Sequence, residues 1–521
     1  MSLVRNFASV GGATLLSRVL GFVRDIMMAA ILGAGPVADA FVAAFRLPNM
    51  FRRILAEGAF NTAFIPLFAK ALETQGNEAA VKFAQNIISS LIALLLVLTV
   101  LAEIFMPQLV MILAPGFQEN PDKFELTVLF ARICFPYLAC MSLMAAYAGI
   151  LNSLRKFLAA ALAPVLLNVV LVGFLAVLAF TRPEIAQSGF WLSIGVLVGG
   201  VAQVVMVIFA LVRTGFLPPL SLPKLDKDLR RFWTLAVPAI FTGGVTQINI
   251  VVGTNIASNE ASAVSYLYYA DRLYQLPLGI IGIAIGVVLL PELSRRLKSE
   301  DFAGAARVQD QSMLFAMMLT VPAAVALFVI AEPIIKTLFE YGAFSAFAAE
   351  QSAMALAVFA LGLPSFVLAK ILQPAFFARE NTASPAMFAV VTVAVNIGFS
   401  LALFPFFKHV GIAAATTIAG WTNVVLLAGG LMRKKQFQLT RETRNGLIYL
   451  CLGAAIMGWV LVGGQWLLAP YFAADQFVAV RFVALLALVG AGAVAYFGMV
   501  QLFGVYDLRR WRRLATEPTK G

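Results

Sequence analysis

The segment "SRVLGFVRD" at residues 17–25 sets Arg18, Arg24 and Asp25 inside an otherwise apolar run long enough to cross a bilayer. Each helical residue advances by about 100°, so Thr14, Ser17, Arg18, Gly21, Arg24 and Asp25 share one arc of about 120°. Leu15, Leu16, Val19, Leu20, Val23, Ile26 and Met27 take the rest of the circumference. Arg24 and Asp25 point about 100° apart, which pairs Asp25 with Arg18 on its own face. A second polar stripe lies in "DAFVAAFRLPNMFRRILAEGAF" at 39–60. There Asp39, Arg46, Arg53 and Glu57 align, and Asn49 and Arg52 widen the stripe to one side. In "SYLYYADRLYQLPLG" at 265–279, Ser265, Tyr268, Tyr269, Arg272, Gln275 and Gly279 share a face, with Asp271 about 100° from Arg272. Lys370 adds a further buried cation in the tenth apolar run.

Arg18, Arg24, Arg46, Arg52, Arg53 and Arg272 outnumber Asp25, Asp39, Glu57 and Asp271. Each central arginine costs roughly 2.5–3.5 kcal/mol to place in a bilayer, and arginine cannot shed its charge. The excess asks for a water-filled cavity and an anion. The planar guanidinium fork suits phosphate oxygens in pairs, so the chemistry points to a phosphate or diphosphate ligand. The competing account is a set of ion pairs that lock helices together. Arg132 and Arg481 fit that account, or a reach towards the interface. Tyr268 and Tyr269 fit packing better than sugar stacking.

The elements that must hold these groups are membrane helices. Of 521 residues, 61% are hydrophobic and 12% charged, with mean hydropathy +0.91, against roughly 25% charged in soluble proteins. Fourteen apolar stretches approach the length of about 20 residues that a span needs. They lie near 7–33, 37–68, 84–113, 126–151, 158–180, 190–212, 232–257, 263–290, 312–338, 351–376, 386–406, 411–432, 446–468 and 479–504. Gly21, Pro48 and Pro277 are candidate bending points. With both termini cytoplasmic, only Lys123, Arg182, Lys336 and Lys408 fall in outer loops, as the positive-inside rule requires. The proline-rich stretch at 213–231 reads as a connector between two related halves. "FIPLFAKAL" (64–72) matches "LLPELSRRL" (289–297), and Gly116, Pro136 and Asn168 match Gly342, Pro364 and Asn396 at nearly one spacing. An even number of helices per copy makes these parallel repeats. The predicted fold is all-α, with six-helix lobes at 1–218 and 229–436, two added helices at 437–505 and a basic tail at 506–521.

Several function classes are disfavoured. The net charge of +12 sits in short loops between apolar runs, which points to anionic lipid and not to nucleic acid. Cys134, Cys140 and Cys451 lie in apolar helices and His409 stands far from them, so no metal site is expected. No phosphate-binding G-x-x-x-x-G-K-[ST] loop is present. A membrane enzyme acting on a polyprenyl diphosphate would use Asp25, Asp39 or Asp271, but no D-D-x-x-D-like cluster or catalytic histidine supports it. An acidic-cavity drug antiporter is disfavoured by the basic charge.

The motifs "SRVLGFVRD", "DAFVAAFRLPNMFRRILAEGAFNTAFIP", "APGF" (114–117) and "YYADRLYQLPLG", with the fourteen-helix plan, resemble the MurJ/MviN family of lipid II flippases. That family belongs to the multidrug/oligosaccharidyl-lipid/polysaccharide exporter superfamily, and the likeness covers nearly the whole chain. The resemblance implies a transporter, not an enzyme, in the bacterial inner membrane. Its cargo would be undecaprenyl-diphosphate carrying the peptidoglycan disaccharide–pentapeptide, moved outward by alternating access through a cationic cavity. The last two helices would form a groove for the lipid tail. Positions matching the family's cavity residues are Arg18, Arg24, Asp39, Asn49, Arg52, Ser265, Asp271, Arg272 and Lys370, and helix phase adds Asp25, Arg53 and Glu57. No cofactor is implied. Coupling to membrane potential or to a monovalent ion stays open, because 232–257 holds no carboxylate for a sodium site. Cell-wall synthesis and division proteins are candidate partners. A related polysaccharide-lipid flippase is the alternative cargo reading.

Overall fold

The computed structural model describes residues 3–55, 61–434, 436–437, 439–473 and 475–505. Among them no strand occurs. The helices are α1 Leu3–Leu32, α2 Pro36–Arg52, α3 Asn61–Gln75, α4 Asn77–Ile104, α5 Met106–Leu113, α6 Pro121–Cys134, α7 Tyr137–Ser153, α8 Phe157–Thr181 and α9 Ile185–Val212. They continue as α10 Lys227–Ala257, α11 Ala263–Lys298, α12 Phe302–Val329, α13 Ala331–Phe339, α14 Ala346–Phe377, α15 Ala383–Arg433, α16 Arg441–Leu468 and α17 Val478–Leu502. Among the described residues, nine helical stretches are long and apolar enough to cross a membrane. The charged helices α1, α2 and α11 are not in that set.

Proline explains where apolar runs divide, because its ring clashes with the preceding turn and it lacks an N–H. The stretch 84–113 breaks at Phe105, ahead of Pro107, into α4 and α5, and 126–151 breaks at Phe135–Pro136 into α6 and α7. Conversely, 386–406 and 411–432 lie within α15, whose helical path is interrupted at Lys408 (φ 53°, ψ −137°). A straight helix of 51 residues would measure about 75 Å, more than twice a bilayer core. The chain instead reverses, so that a Cβ added to Gly411 would lie 2.8 Å from the Leu403 carbonyl oxygen.

The helices form two compact units, Met1–Ser265 with Tyr341–Ser345, and Tyr266–Glu340 with Ala346–Gly521. In the first unit α1 packs on α8, α8 on α9 and α2 on α6, while α10 packs on α3, α4 and α5. The 213–231 connector is tied down. Asn86 on α4 accepts from the Lys224 N–H (2.7 Å) and donates to Asp226 (2.7 Å), and Asp226 caps α10 through the Leu229 N–H. In the second unit α14 packs on α12 and α15, and α16 on α12 and α17. Gly492 lies against Leu461 and Gly453 against Tyr496, so small residues bring α16 and α17 together. Tyr496 donates to the Met318 carbonyl (2.9 Å). Arg481, 2% exposed, donates from Nε to the Ala473 carbonyl (3.0 Å), so it ties the start of α17 to the segment that follows α16.

The last turn of α1 is capped from outside. The Ala343 N–H donates to the Ala30 carbonyl (2.8 Å), satisfying an acceptor that a helix end leaves open. Two glycines permit this approach, Gly33 (φ 68°) and Gly342 (φ 58°). A Cβ there would lie 2.4 Å from the Ala343 oxygen and 2.2 Å from the Ala30 oxygen, respectively. Gly33→Ala or Gly342→Ala is expected to cost at least about 1–3 kcal/mol from backbone strain. Gly35→Ala, with open space around its added Cβ, serves as the mild control. Thermal unfolding of the three variants checks the order.

Candidate functional site

Helix α1 turns Leu15, Leu16 and Val19 outward at 60%, 47% and 53% exposure and packs its other side on α8. Arg24 and Asp25 lie on the packed side. The Arg24 Nε and Nη2 donate to Asp25 Oδ1 at 3.1 and 2.8 Å, and Nη1 donates to Asn168 Oδ1 at 2.9 Å. The expected Asp25–Arg18 pairing gives way to a pair with the sequence neighbour. The arginine stem is long enough to wrap the helix surface between adjacent positions, so Cβ phase alone does not decide its partner. Arg18 is half-buried. Gly21 faces Asn168, whose Nδ2 would meet an added Cβ at 3.4 Å.

On α2, Asp39 is fully buried. Its Oδ2 takes Lys123 Nζ at 2.6 Å, and its Oδ1 accepts from the Ser265 N–H (2.8 Å) and hydroxyl (2.5 Å). Lys123, 7% exposed, also sits 3.9 Å above the Phe117 ring. Sequence placed Lys123 in an outer loop and aligned Asp39 with arginines. The close packing of the first turns of α2 and α6 joins Asp39 to Lys123 instead. Nearby, the Gly116 N–H donates to Ser258 Oγ (3.0 Å), and Asn255 Nδ2 to the Ile112 carbonyl (2.9 Å). Arg46 Nη1 donates to Thr254 Oγ1 on α10 (2.7 Å). Asn49 Nδ2 donates back to the Phe45 carbonyl of its own helix (2.9 Å). Pro48 is buried, Arg52 half-buried and Arg53 exposed, where the helix widens into a π-type turn at 53–55. Glu57 lies outside the described residues.

In the second unit α11 carries Arg272, whose Cζ stands 4.7 Å over the Tyr268 ring. Asp271 accepts from Gln275 one turn on. Tyr269 packs on Phe339, and Tyr274 on Phe359 and Phe366, so these tyrosines are core residues. Pro277 lies within α11. Lys370 on α14 is exposed, not buried as its apolar surroundings in sequence implied, and its stem crosses α11 at Gly282, where an added Cβ would lie 2.7 Å from Lys370 Cδ. His409 is buried, with Nε2 3.1 Å from the Gln351 carbonyl oxygen. Among the described residues no group of three His, Cys, Asp or Glu could hold a metal ion.

Sequence reasoning missed four participants: Lys123, Asn168, Thr254 and Gly282. Asn168 carried a signal, since a polar residue inside an apolar span needs a partner. The other three did not, because only packing brings them to a charge.

A model of the family described as lipid II flippase MurJ matches residues 28–488. A probable lipid II flippase MurJ of Rhizobium meliloti (strain 1021) is 47% identical over 515 residues, covering 98% of this chain and 96% of its own length. The lipid II flippase MurJ of Burkholderia cenocepacia is 33% identical over 514 residues, covering 97% and 98%. The solved structure of a lipid II flippase MurJ in an inward closed conformation matches with TM-score 0.79 and 25% identity, over 97% of this chain and 99% of that one. An inward-facing MATE family transporter of the MOP superfamily shares the fold at TM-score 0.65 and 16% identity, over 80% and 94%. With family model and relatives spanning nearly its whole length, this chain belongs to the lipid II flippase MurJ family.

Proposed function

We propose that the protein is a transporter that carries lipid II from the inner to the outer leaflet of the bacterial cytoplasmic membrane by alternating access. It does so as a fourteen-span protein built from two related halves, with both termini cytoplasmic. Family membership supports the cargo. The observation that carries the chemistry is the charge balance. Lys123 occupies Asp39, so that carboxylate is not set against the arginines, and the cationic excess is larger than sequence counting suggested. The diphosphate of the cargo is the anion that Arg24, Arg52 and Arg272 would recognise, with Arg18, Arg53 and Lys370 adding to the field. The tail stays in hydrocarbon, at the groove of α16 and α17.

The buried network of Asp39, Lys123 and Ser265 closes the outer end of the first unit, joining the starts of α2, α6 and α11. Outward release requires it to part. No cofactor takes part in this cycle. An inside-negative potential favours outward movement of an anionic headgroup by about 2.3 kcal/mol per charge per 100 mV, which makes membrane potential the favoured energy source over a dedicated ion site. The basic surface segment around 433–444 attracts anionic lipid, and cell-wall synthesis proteins are the partner class such a cargo would bring.

Arg24→Ala and Arg272→Ala are each expected to cut lipid II headgroup exposure at the outer face at least about tenfold, the scale of a charged hydrogen bond. The protein level should not change. Undiminished exposure would remove these arginines from cargo binding. Lys123→Met strands a buried carboxylate and should cost about 3–5 kcal/mol. Adding Asp39→Leu should restore most of that loss in thermal unfolding. Gly282→Leu should displace Lys370 and lower transport as much as Lys370→Ala does, measured in the same headgroup assay.

A further inference from the structure

Arg24 is gripped from two sides. Asp25, on the same helix, takes Nε and Nη2 through one carboxylate oxygen. Asn168, from α8, takes Nη1 at 2.9 Å. Asn168 is itself fixed at its other end, since Nδ2 donates to the Ser17 carbonyl (2.9 Å) and lies 3.3 Å from the Ser17 hydroxyl. Asn168 is 6% exposed and its amide rests on α1 at Gly21, at van der Waals distance from where a Cβ would stand. The amide therefore bridges α8 to two points on α1, one backbone and one charged.

We infer that Asn168 is a positioning residue for cargo binding, holding the plane of the Arg24 guanidinium so that its fork meets phosphate oxygens in pairs. This rests on the reading of Arg24 as a diphosphate ligand. One contact leaves a guanidinium free to swing about the line to its partner; contacts at two edges fix its plane. Bidentate recognition of phosphate depends on that plane. The chemical type of the second partner matters as well. Asp25 already sets one carboxylate against Arg24; a second at 168 would add a further negative charge beside the cargo's phosphates, whereas a neutral amide oxygen orients the guanidinium without adding one. Asn supplies that acceptor together with two N–H donors, and the donors secure it to Ser17 so that the acceptor cannot rotate away. Gly21 takes on a second role as the seat of this amide, distinct from that of a bending point.

The test measures binding of undecaprenyl diphosphate to the purified full-length protein, in a double-mutant cycle between positions 24 and 168. Asn168→Leu should weaken binding about tenfold, the scale of one hydrogen bond to a charged group. In an Arg24→Ala background the same change should weaken it less than twofold further, because there is no guanidinium left to hold. Equal weakening in both backgrounds would make Asn168 a packing residue and overturn the inference. Asn168→Asp keeps size and acceptor, and covers the case in which the leucine variant does not accumulate. Its added carboxylate should weaken binding near neutral pH, and acidification through the carboxylate range should restore binding relative to wild type measured alongside. A flat ratio to wild type across that range would also overturn the proposal. If Arg24→Ala alone binds like wild type, the diphosphate role of Arg24 fails and the inference falls with it. If Arg24→Ala binds weakly while Asn168→Leu binds normally, the role of Arg24 stands and only the positioning role is lost.

Discussion

A guanidinium in hydrocarbon has no inexpensive state. It costs about 2.5–3.5 kcal/mol at a helix centre and keeps its proton at any physiological pH. Every arginine on α1, α2 and α11 must therefore find water, a partner or a ligand, and the rest of the structure follows from how each does so. Arg24 takes Asp25 and Asn168, Arg46 takes Thr254, and Arg272 lies over Tyr268. Asp25 is charged, whereas Asn168, Thr254 and Tyr268 are neutral groups that orient a guanidinium without adding an opposing charge.

The buried ion pair between α2 and α6 works in the opposite sense. Lys123 and Asp39 neutralise each other at 2.6 Å, with Ser265 completing the carboxylate's bonds. Burying both charges is costly and becomes tolerable only when the remaining lone pairs are satisfied. Such a pair adds little net stability over an apolar contact, yet breaking it by removing one partner is expensive. Those properties suit a closure that must be specific in one state and separable in another. The glycines at 33 and 342 belong to the same economy of close approach, since backbone meets backbone at the end of α1 without a side chain between.

Helix phase served well where side chains are short and poorly where they are long. It assigned the exposed apolar face of α1 through Leu15, Leu16 and Val19. It failed for Asp25, because an arginine head lies several bonds from its Cβ and can reach a neighbour 100° away. Hydropathy and the positive-inside rule set Lys123 outside the apolar runs and gave no sign that it is nearly buried against Asp39. The α15 reversal shows the same limit from the other side. Two apolar runs were visible, but the sharp backbone turn at Lys408 that separates them carries neither glycine nor proline at the turning residue.

Composition and apolar run length determined by themselves that the chain is helical and lives in a membrane, because a bilayer satisfies backbone polar groups in few other ways. The count and spacing of arginines in apolar runs pointed to an anionic, phosphate-bearing ligand, because charge and geometry belong to the residue type. Tertiary structure alone decided which carboxylate faces which cation, where Asn168 meets Arg24, where the Lys370 stem crosses α11 at Gly282, and how the connector at 213–231 is fixed to α4. Those relations join residues far apart in the chain, and the pattern of a single helix or loop carries no record of its neighbour.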